Sequence, residues 1–119
     1  MFFTTIQAYC LSKAGVEETF PFDDKTVVWK VMGKMFCLGD IEDFKVIALK
    51  CNPERSIRLR EEFEQIKPGY HMNKKLWNSV FLEGLSIELV YELIDHSYDL
   101  VVAKLTKSLK TQLKELEEI

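Results

Sequence analysis

The sequence is poor in the residues and motifs that announce chemistry. It has three cysteines in 119 residues, at positions 10, 37 and 51, and none stands in a CxxC pair. Three cysteines cannot complete a disulfide framework, so a reducing, cytoplasmic setting is expected, with the thiols acting as small buried hydrophobes. The two histidines, His71 and His96, match no zinc-ligand spacing with them. There is no Walker loop and no GxGxxG, so nothing supports nucleotide hydrolysis or a dinucleotide cofactor, and no metal or cofactor is expected. No apolar run approaches the roughly 20 residues of a membrane-spanning helix. The first ten residues lack a cationic segment and mix polar side chains with apolar ones, so they do not read as a secretory leader. Only three prolines and five glycines occur, with no low-complexity tract or repeat. A single domain over 1–119 is therefore expected.

What is present is an ordinary globular mixture, 47% hydrophobic and 29% charged. Phe2/Phe3, Ile6 and Tyr9/Cys10 recur at helical spacing, which predicts an N-terminal helix ending near Ala14-Gly15. Val16 to Asp24, with four acids and Phe20-Pro21-Phe22, reads as a loop with aromatic anchors. Thr26 to Val31, Met35 to Leu38 and Phe44 to Cys51 read as three strands of an antiparallel meander, the first two joined by a tight turn at Gly33. Asn52-Pro53-Glu54 is a helix start, the asparagine capping and the proline at the first helical position. A short strand or irregular edge over 65–71 precedes a strand over Lys75 to Leu82. From Ser86 onward the pattern is helical, with a possible break at Asp95-His96-Ser97. Leu105, Leu109, Leu113 and Leu116 form a stripe on the last part. The expected fold is α+β and two-layered, an antiparallel sheet of about five strands packed by helices in the order α-β-β-β-α-β-β-α.

Several separated stretches carry a family resemblance. They are Lys67-Pro68-Gly69-Tyr70-His71-Met72-Asn73-Lys74-Lys75-Leu76-Trp77-Asn78-Ser79-Val80, Gly33-Lys34-Met35-Phe36, Leu49-Lys50-Cys51-Asn52-Pro53-Glu54 and Ser97-Tyr98-Asp99-Leu100-Val101. In this order they resemble the MmcQ/YjbR family from about Thr4 to Leu109. Residues after about 109 form a helical C-terminal extension. The resemblance implies a YjbR-like fold of the type III secretion chaperone-like class, and DNA binding through two β-hairpins, a "double wing".

Charge is distributed in a way that agrees with that implication. The net charge of −3 rules out a uniformly basic nucleic-acid binder but not a local basic surface. Residues 25–82 sum to +4, whereas 1–24 and 83–119 sum to −3 and −4. Residues 25–39 and 65–82, the two hairpin regions, contain lysines and no acid. Lysines on projecting hairpins can reach phosphates, and aromatic side chains beside them can stack. The candidate nucleic-acid residues are Lys30, Lys34, Lys67, Tyr70, His71, Lys74, Lys75 and Asn78. The same lysines also suit a plain role in keeping edge strands soluble, and phosphate contact is better supported than base readout. Arg55, Arg58 and Arg60 alternate with acids and read as a solvated helix face, with Glu54 and Arg58 spaced for an ion pair. A second expectation is a protein-interaction or chaperone-like module, or a homo-oligomer, using Leu105, Leu109, Leu113 and Leu116. The last is a small-anion binder or enzyme centred on His71, with Lys74, Lys75 and Asn78. No catalytic constellation is recognisable, so a non-enzymatic protein is expected.

Overall fold

Short runs of β-branched and aromatic residues form strands that pair into one sheet, and periodic apolar stripes form helices that cover one side of it. The computed structural model describes residues 2–70 and 72–118. Its elements are α1 (Phe2–Leu11), β1 (Val16–Thr19), β2 (Thr26–Val31), β3 (Lys34–Asp40), β4 (Val46–Lys50), α2 (Pro53–Glu62), β5 (Ile66–Pro68), β6 (Trp77–Phe81), α3 (Ile87–Ala103) and α4 (Lys107–Glu117). The sheet order is β1-β2-β3-β4-β6-β5, and every neighbouring pair is antiparallel.

Directly paired residues share a face of a sheet. Val27, Trp29, Cys37, Ile47, Leu49 and Val80 lie on one face and are buried. That face receives the helices. Phe3 of α1 packs on Trp29, Tyr98 of α3 meets Phe36 edge-on, and Ser56 of α2 bonds to Asn78. The opposite face carries Thr26, Leu38, Ala48, Ser79 and Lys67. No helix covers it among the described residues, and it holds a groove of about 560 Å3 rimmed by Phe22, Tyr70 and Met72.

Local chemistry sets the element boundaries. β2 and β3 are joined by Met32 and Gly33 at φ 49° and 84°. Two positive values give the two-residue turn whose twist suits a hairpin, and glycine takes its share without strain. Asn52 Oδ1 accepts from the amides of Glu54 and Arg55 to start α2. Ser86 and Thr106 cap α3 and α4 in the same manner.

The structure corrects the sequence reading at three places. The sheet has six strands, because Val16–Thr19, expected as loop, is the edge strand β1. Two adjacent glutamates hid it. Glu17 points to the open face, while Glu18 accepts from the Trp29 indole at 3.0 Å and from Gln7 at 2.9 Å. The final helical run is two helices divided at 104–106, where Thr106 begins a new cap. Asp95-His96-Ser97 does not break α3. Each of these three side chains instead ties the helix to another element. Asp95 accepts from the Tyr9 hydroxyl and pairs with Lys13, next to a Tyr9–Tyr91 stack. Burial and the Asp95 carboxylate push the Tyr9 pKa up to about 12. His96 Nε2 accepts from the Asn52 amide at 3.1 Å. Ser97, fully buried, donates to the Phe36 carbonyl at 2.6 Å and accepts from the Lys50 amide at 2.9 Å.

The expected thiol and leucine positions are also clear. Cys10, Cys37 and Cys51 are buried and free. Leu105 and Leu113 belong to the core, Leu109 packs against it, and Leu116 is exposed. No helix among the described residues is long and apolar enough to cross a membrane.

Ser97→Ala should lower unfolding stability by about 2–4 kcal/mol, because the buried Phe36 carbonyl loses its partner at roughly 1–3 kcal/mol and the part-buried Lys50 amide loses its own at about 1 kcal/mol. A urea midpoint that reports a loss under about 0.5 kcal/mol, the range of ordinary surface changes, would show that the bridge stabilises nothing.

Candidate nucleic-acid interface

The elements of the sheet and the helices packed on it run back and forth along one direction, so the connections between them gather at two ends. Val31 pairs with Lys34, Lys50 with Trp77, and Pro68 with Asn78, and these pairs mark one end. Connections 12–15, 32–33, 51–52, 69–76 and 104–106 emerge there. They carry Lys13, Lys74, Lys75 and Lys104, and no aspartate or glutamate. The other end, marked by Thr26 with Asp40 and Val46 with Phe81, collects connections 20–25, 41–45, 63–65 and 82–86. These carry Asp23, Asp24, Glu42, Asp43, Glu64 and Glu83 against Lys25 and Lys45.

Ion pairing follows this division apart from Lys13, which pairs with Asp95 of α3 at the lysine end. At the acidic end both lysines have carboxylate partners, Lys25 with Glu42 at 3.7 Å and Lys45 with Asp43 at 3.8 Å. Among the described residues, Lys30, Lys34, Lys50, Lys74, Lys75 and Lys104 show no carboxylate within 4.0 Å. Lys30 stands across from Glu17 on the open face, which moderates its charge. The acidic tail of α4 lies toward the β1 side, where Glu117 and Asp99 add to the burial that raises the Tyr98 pKa. The Tyr98 hydroxyl itself donates to the Ala14 carbonyl at 2.7 Å. The basic corner is thus the β4–β6–β5 side of the lysine end.

The 69–76 loop that presents Lys74 and Lys75 is fastened by polar contacts. The Gly69 amide donates to the Trp77 carbonyl at 2.9 Å, and the Tyr70 amide to the Ser79 hydroxyl at 3.1 Å. Asn73 Oδ1 accepts from the amides of Lys75 and Leu76. Arg60 reaches across from α2, Nε donating to Asn78 Oδ1 at 2.8 Å and a terminal nitrogen to the Lys74 carbonyl at 2.7 Å. Lys74 and Lys75 are exposed.

The candidate residues therefore divide. Lys34, Lys74 and Lys75 are exposed at the lysine end, with the half-buried Lys30 nearby. Lys67 lies on the open face with its ammonium 5.8 Å from the Phe81 ring centre, and the exposed Tyr70 rims the groove on that face. His71 lies outside the described residues. Asn78 is 2% exposed, its oxygen held by Arg60 and its nitrogen donating to Ser56 at 3.1 Å. Its amide serves the fold and does not join Lys74 and Lys75 at the surface.

The arginines on α2 also depart from the solvated face expected for them. Arg55 pairs with Glu92 of α3 at 2.6 Å and Arg60 clamps the loop. The Glu54–Arg58 pair is absent from the ion pairs of the described residues. Sequence reading also missed Lys50 and Lys104, which approach each other from β4 and the end of α3. Only the helical register of α3, known from the structure, brings position 104 back to the sheet. Among the described residues, no group of three His, Cys, Asp or Glu side chains is placed to hold a metal ion.

One antiparallel sheet with helices on a single face, and hairpins ending in lysines, defines an α+β domain of the kind the family resemblance implies. Residues 11–100 match the YjbR family model, and the chain belongs to the YjbR family. It is 39% identical over 105 residues to YbdF of Escherichia coli O157:H7, covering 87% of this chain and 86% of that protein. It is 32% identical over 110 residues to YjbR of Escherichia coli K12, covering 91% and 93%. A crystal structure of a Deinococcus radiodurans protein with a DUF419 domain superposes with a TM-score of 0.85 at 41% identity, covering 92% of this chain and 85% of that one. A Pseudomonas syringae protein superposes with a TM-score of 0.69 at 27% identity, covering 82% and 96%.

His96 gives this end of the molecule a pH dependence. Burial, and then the Arg55 guanidinium, hold its pKa below the usual 6.5, against opposing pulls from Asp99 and Glu92. The unfolded chain therefore takes up the proton first, and stability rises with pH between the two values. This contribution is complete above pH 6.5 and is lost as the pH falls through the lowered folded value. The denaturant midpoint should fall more between pH 7.5 and pH 5.5 in the native chain than in His96→Gln. Parallel pH profiles for the two proteins would refute the assignment.

Proposed function

We propose that this protein binds nucleic acid through the lysine end of its sheet, without enzymatic chemistry. The observation that carries the reading is the segregation of charge. Five connections at one end hold four lysines, of which Lys13 is ion-paired, and no acid, while four connections at the other hold six acids and two ion-paired lysines. Lys34, Lys74 and Lys75 contact phosphates from the two hairpin ends, with Lys30 beside them. Lys67 and Tyr70 continue the surface onto the open face, where an exposed aromatic ring suits stacking. His71 sits in the same loop of the sequence and adds a polar contact. Phosphate contacts position a protein without reading bases, so the binding is weak and largely independent of sequence.

This reading also accounts for how the loop is held. A side chain on a fixed backbone loses less entropy on binding than one on a mobile loop. Arg60, Asn73 and Ser79 restrain the segment that carries Lys74 and Lys75. The leucine stripe, by contrast, has Leu105 and Leu113 in the domain's own core, and a protein partner on that face receives no comparable support.

Fluorescence anisotropy with a labelled DNA duplex, from 50 mM to 200 mM salt, tests the proposal. The log–log slope should be about −3, from roughly −0.9 for each of three to four neutralised phosphates. Lys74→Glu with Lys75→Glu should weaken binding at least tenfold and flatten the slope by about 2. Lys25→Glu with Lys45→Glu, at the acidic end, should change it little. No binding at 50 mM salt, or equal losses from both pairs, would eliminate the proposal.

A further inference from the structure

A second feature of the lysine end goes beyond the surface contacts just described. A pocket of about 240 Å3 opens between the end of β4, the start of α2, the 69–76 loop and the end of α3. Its walls are Lys50, Cys51, Asn52, Leu76, Leu100 and Lys104, with Pro53 at the helix start and no acidic residue. Two ammonium-bearing side chains thus share one cavity without a carboxylate between them. Burial and then the charge of Lys104 lower the Lys50 pKa, as expected for a cation facing another cation in a partly dry site.

The arrangement is built into the fold. Ser97 fixes the Lys50 backbone, and Leu100 and Lys104 follow on the same side of the helical run at steps of three and four. The Lys50 ammonium lies 5.6 Å from the Trp77 ring centre, beside the cavity. The ten-residue α2 starts here and directs its positive end toward the cavity. The amides of Glu54 and Arg55 are already taken by Asn52, so that helix supplies field and the lysines supply the donors.

We propose that this pocket binds a phosphate monoester. Charge decides the ligand class. A carboxylate would neutralise one of the two ammonium groups, whereas a phosphate monoester carries about −1.5 to −2 near pH 7 and matches both. Its three terminal oxygens accept from both lysines at once. Leu76 and Leu100 leave an apolar wall for the esterified carbon skeleton. The phosphate can belong to a free small molecule or to the 5′ end of a nucleic acid. The pocket does not depend on duplex binding by the hairpins.

The test uses the full chain and inorganic phosphate, followed by NMR of the lysine side chains. Lys50 and Lys104 should shift saturably, and the Lys50 pKa should rise on binding. Lys104→Gln, at an exposed helix end, should weaken phosphate at least tenfold, as should Lys50→Met, while acetate should bind the native chain at least tenfold more weakly than phosphate. No saturable shift, affinity unchanged in both variants, or equal affinity for acetate would overturn the proposal. If a 5′-phosphorylated oligonucleotide outcompetes its 5′-hydroxyl form, and Lys104→Gln removes the preference, the ligand is a nucleic-acid terminus. Phosphate binding without that preference identifies a free phosphate ester. Phosphate binding without duplex binding would leave the pocket and remove the nucleic-acid reading, and the reverse result would remove the pocket alone.

Discussion

Ser97 supplies the contact on which the rest of this structure depends, because it acts where the sheet's own hydrogen bonding stops. The β3–β4 ladder runs from Gly39 with Ile47 to Cys37 with Leu49. One step further, the Phe36 carbonyl and the Lys50 amide are both taken by the Ser97 hydroxyl. A buried hydroxyl is costly unless it is bonded, and here it donates to one strand and accepts from the other. That geometry fixes both the height and the rotation of α3 on the sheet. With Ser97 inward, Val90, Leu93, Ile94 and Val101 enter the core, and Lys104 comes down beside Lys50.

The charge pattern follows from topology. Elements that run alternately up and down deliver successive connections to opposite ends, so a sequence can place its acids and lysines in different connections and emerge polarised. The net charge of −3 conceals this. A polyanion approaching such a molecule would meet an attractive end and a repellent end. Oriented encounter of that kind accelerates association and depends on salt. The ion pairs at the acidic end, Lys25 with Glu42 and Lys45 with Asp43, sharpen the contrast by cancelling the only lysines its connections hold.

Legibility in the sequence tracked how local the determining physics was. β2, with Val27, Val28, Trp29 and Val31 in one run, and the Met32-Gly33 turn are specified by neighbours in sequence, and both appear where the residues predict them. The helix start at Asn52-Pro53 is equally local. β1 was not legible, because its stability comes from pairing with β2 and from Glu18 reaching the Trp29 indole eleven positions away. Asp95-His96-Ser97 looked like a helix break because the partners of all three lie on other elements: Tyr9 and Lys13, Asn52, and the β3–β4 junction. Lys74 and Lys75 could be picked out as exposed cations on a hairpin, whereas Asn78 could not be recognised as a buried amide. Its burial depends on Ser56 and Arg60, both on a different element.

The two candidate sites at the lysine end share one mechanical support, and α2 provides it. At its start, Asn52 is held by His96 of α3. Near its finish, Arg60 grips the Lys74 carbonyl and Asn78. Arg55 adds a link to Glu92 between these two points. The helix therefore braces the 69–76 loop against α3, and the same brace sets the walls of the Lys50–Lys104 pocket. Ordering flexible side chains and loops at the moment of binding costs about 0.5–1.5 kcal/mol per mobile side chain. Here much of that ordering is accomplished during folding, by contacts that leave the lysines' charges uncompensated. A protein that needed these cations only for solubility would gain nothing from holding their backbones still, whereas a protein that binds phosphate gains affinity from each restraint.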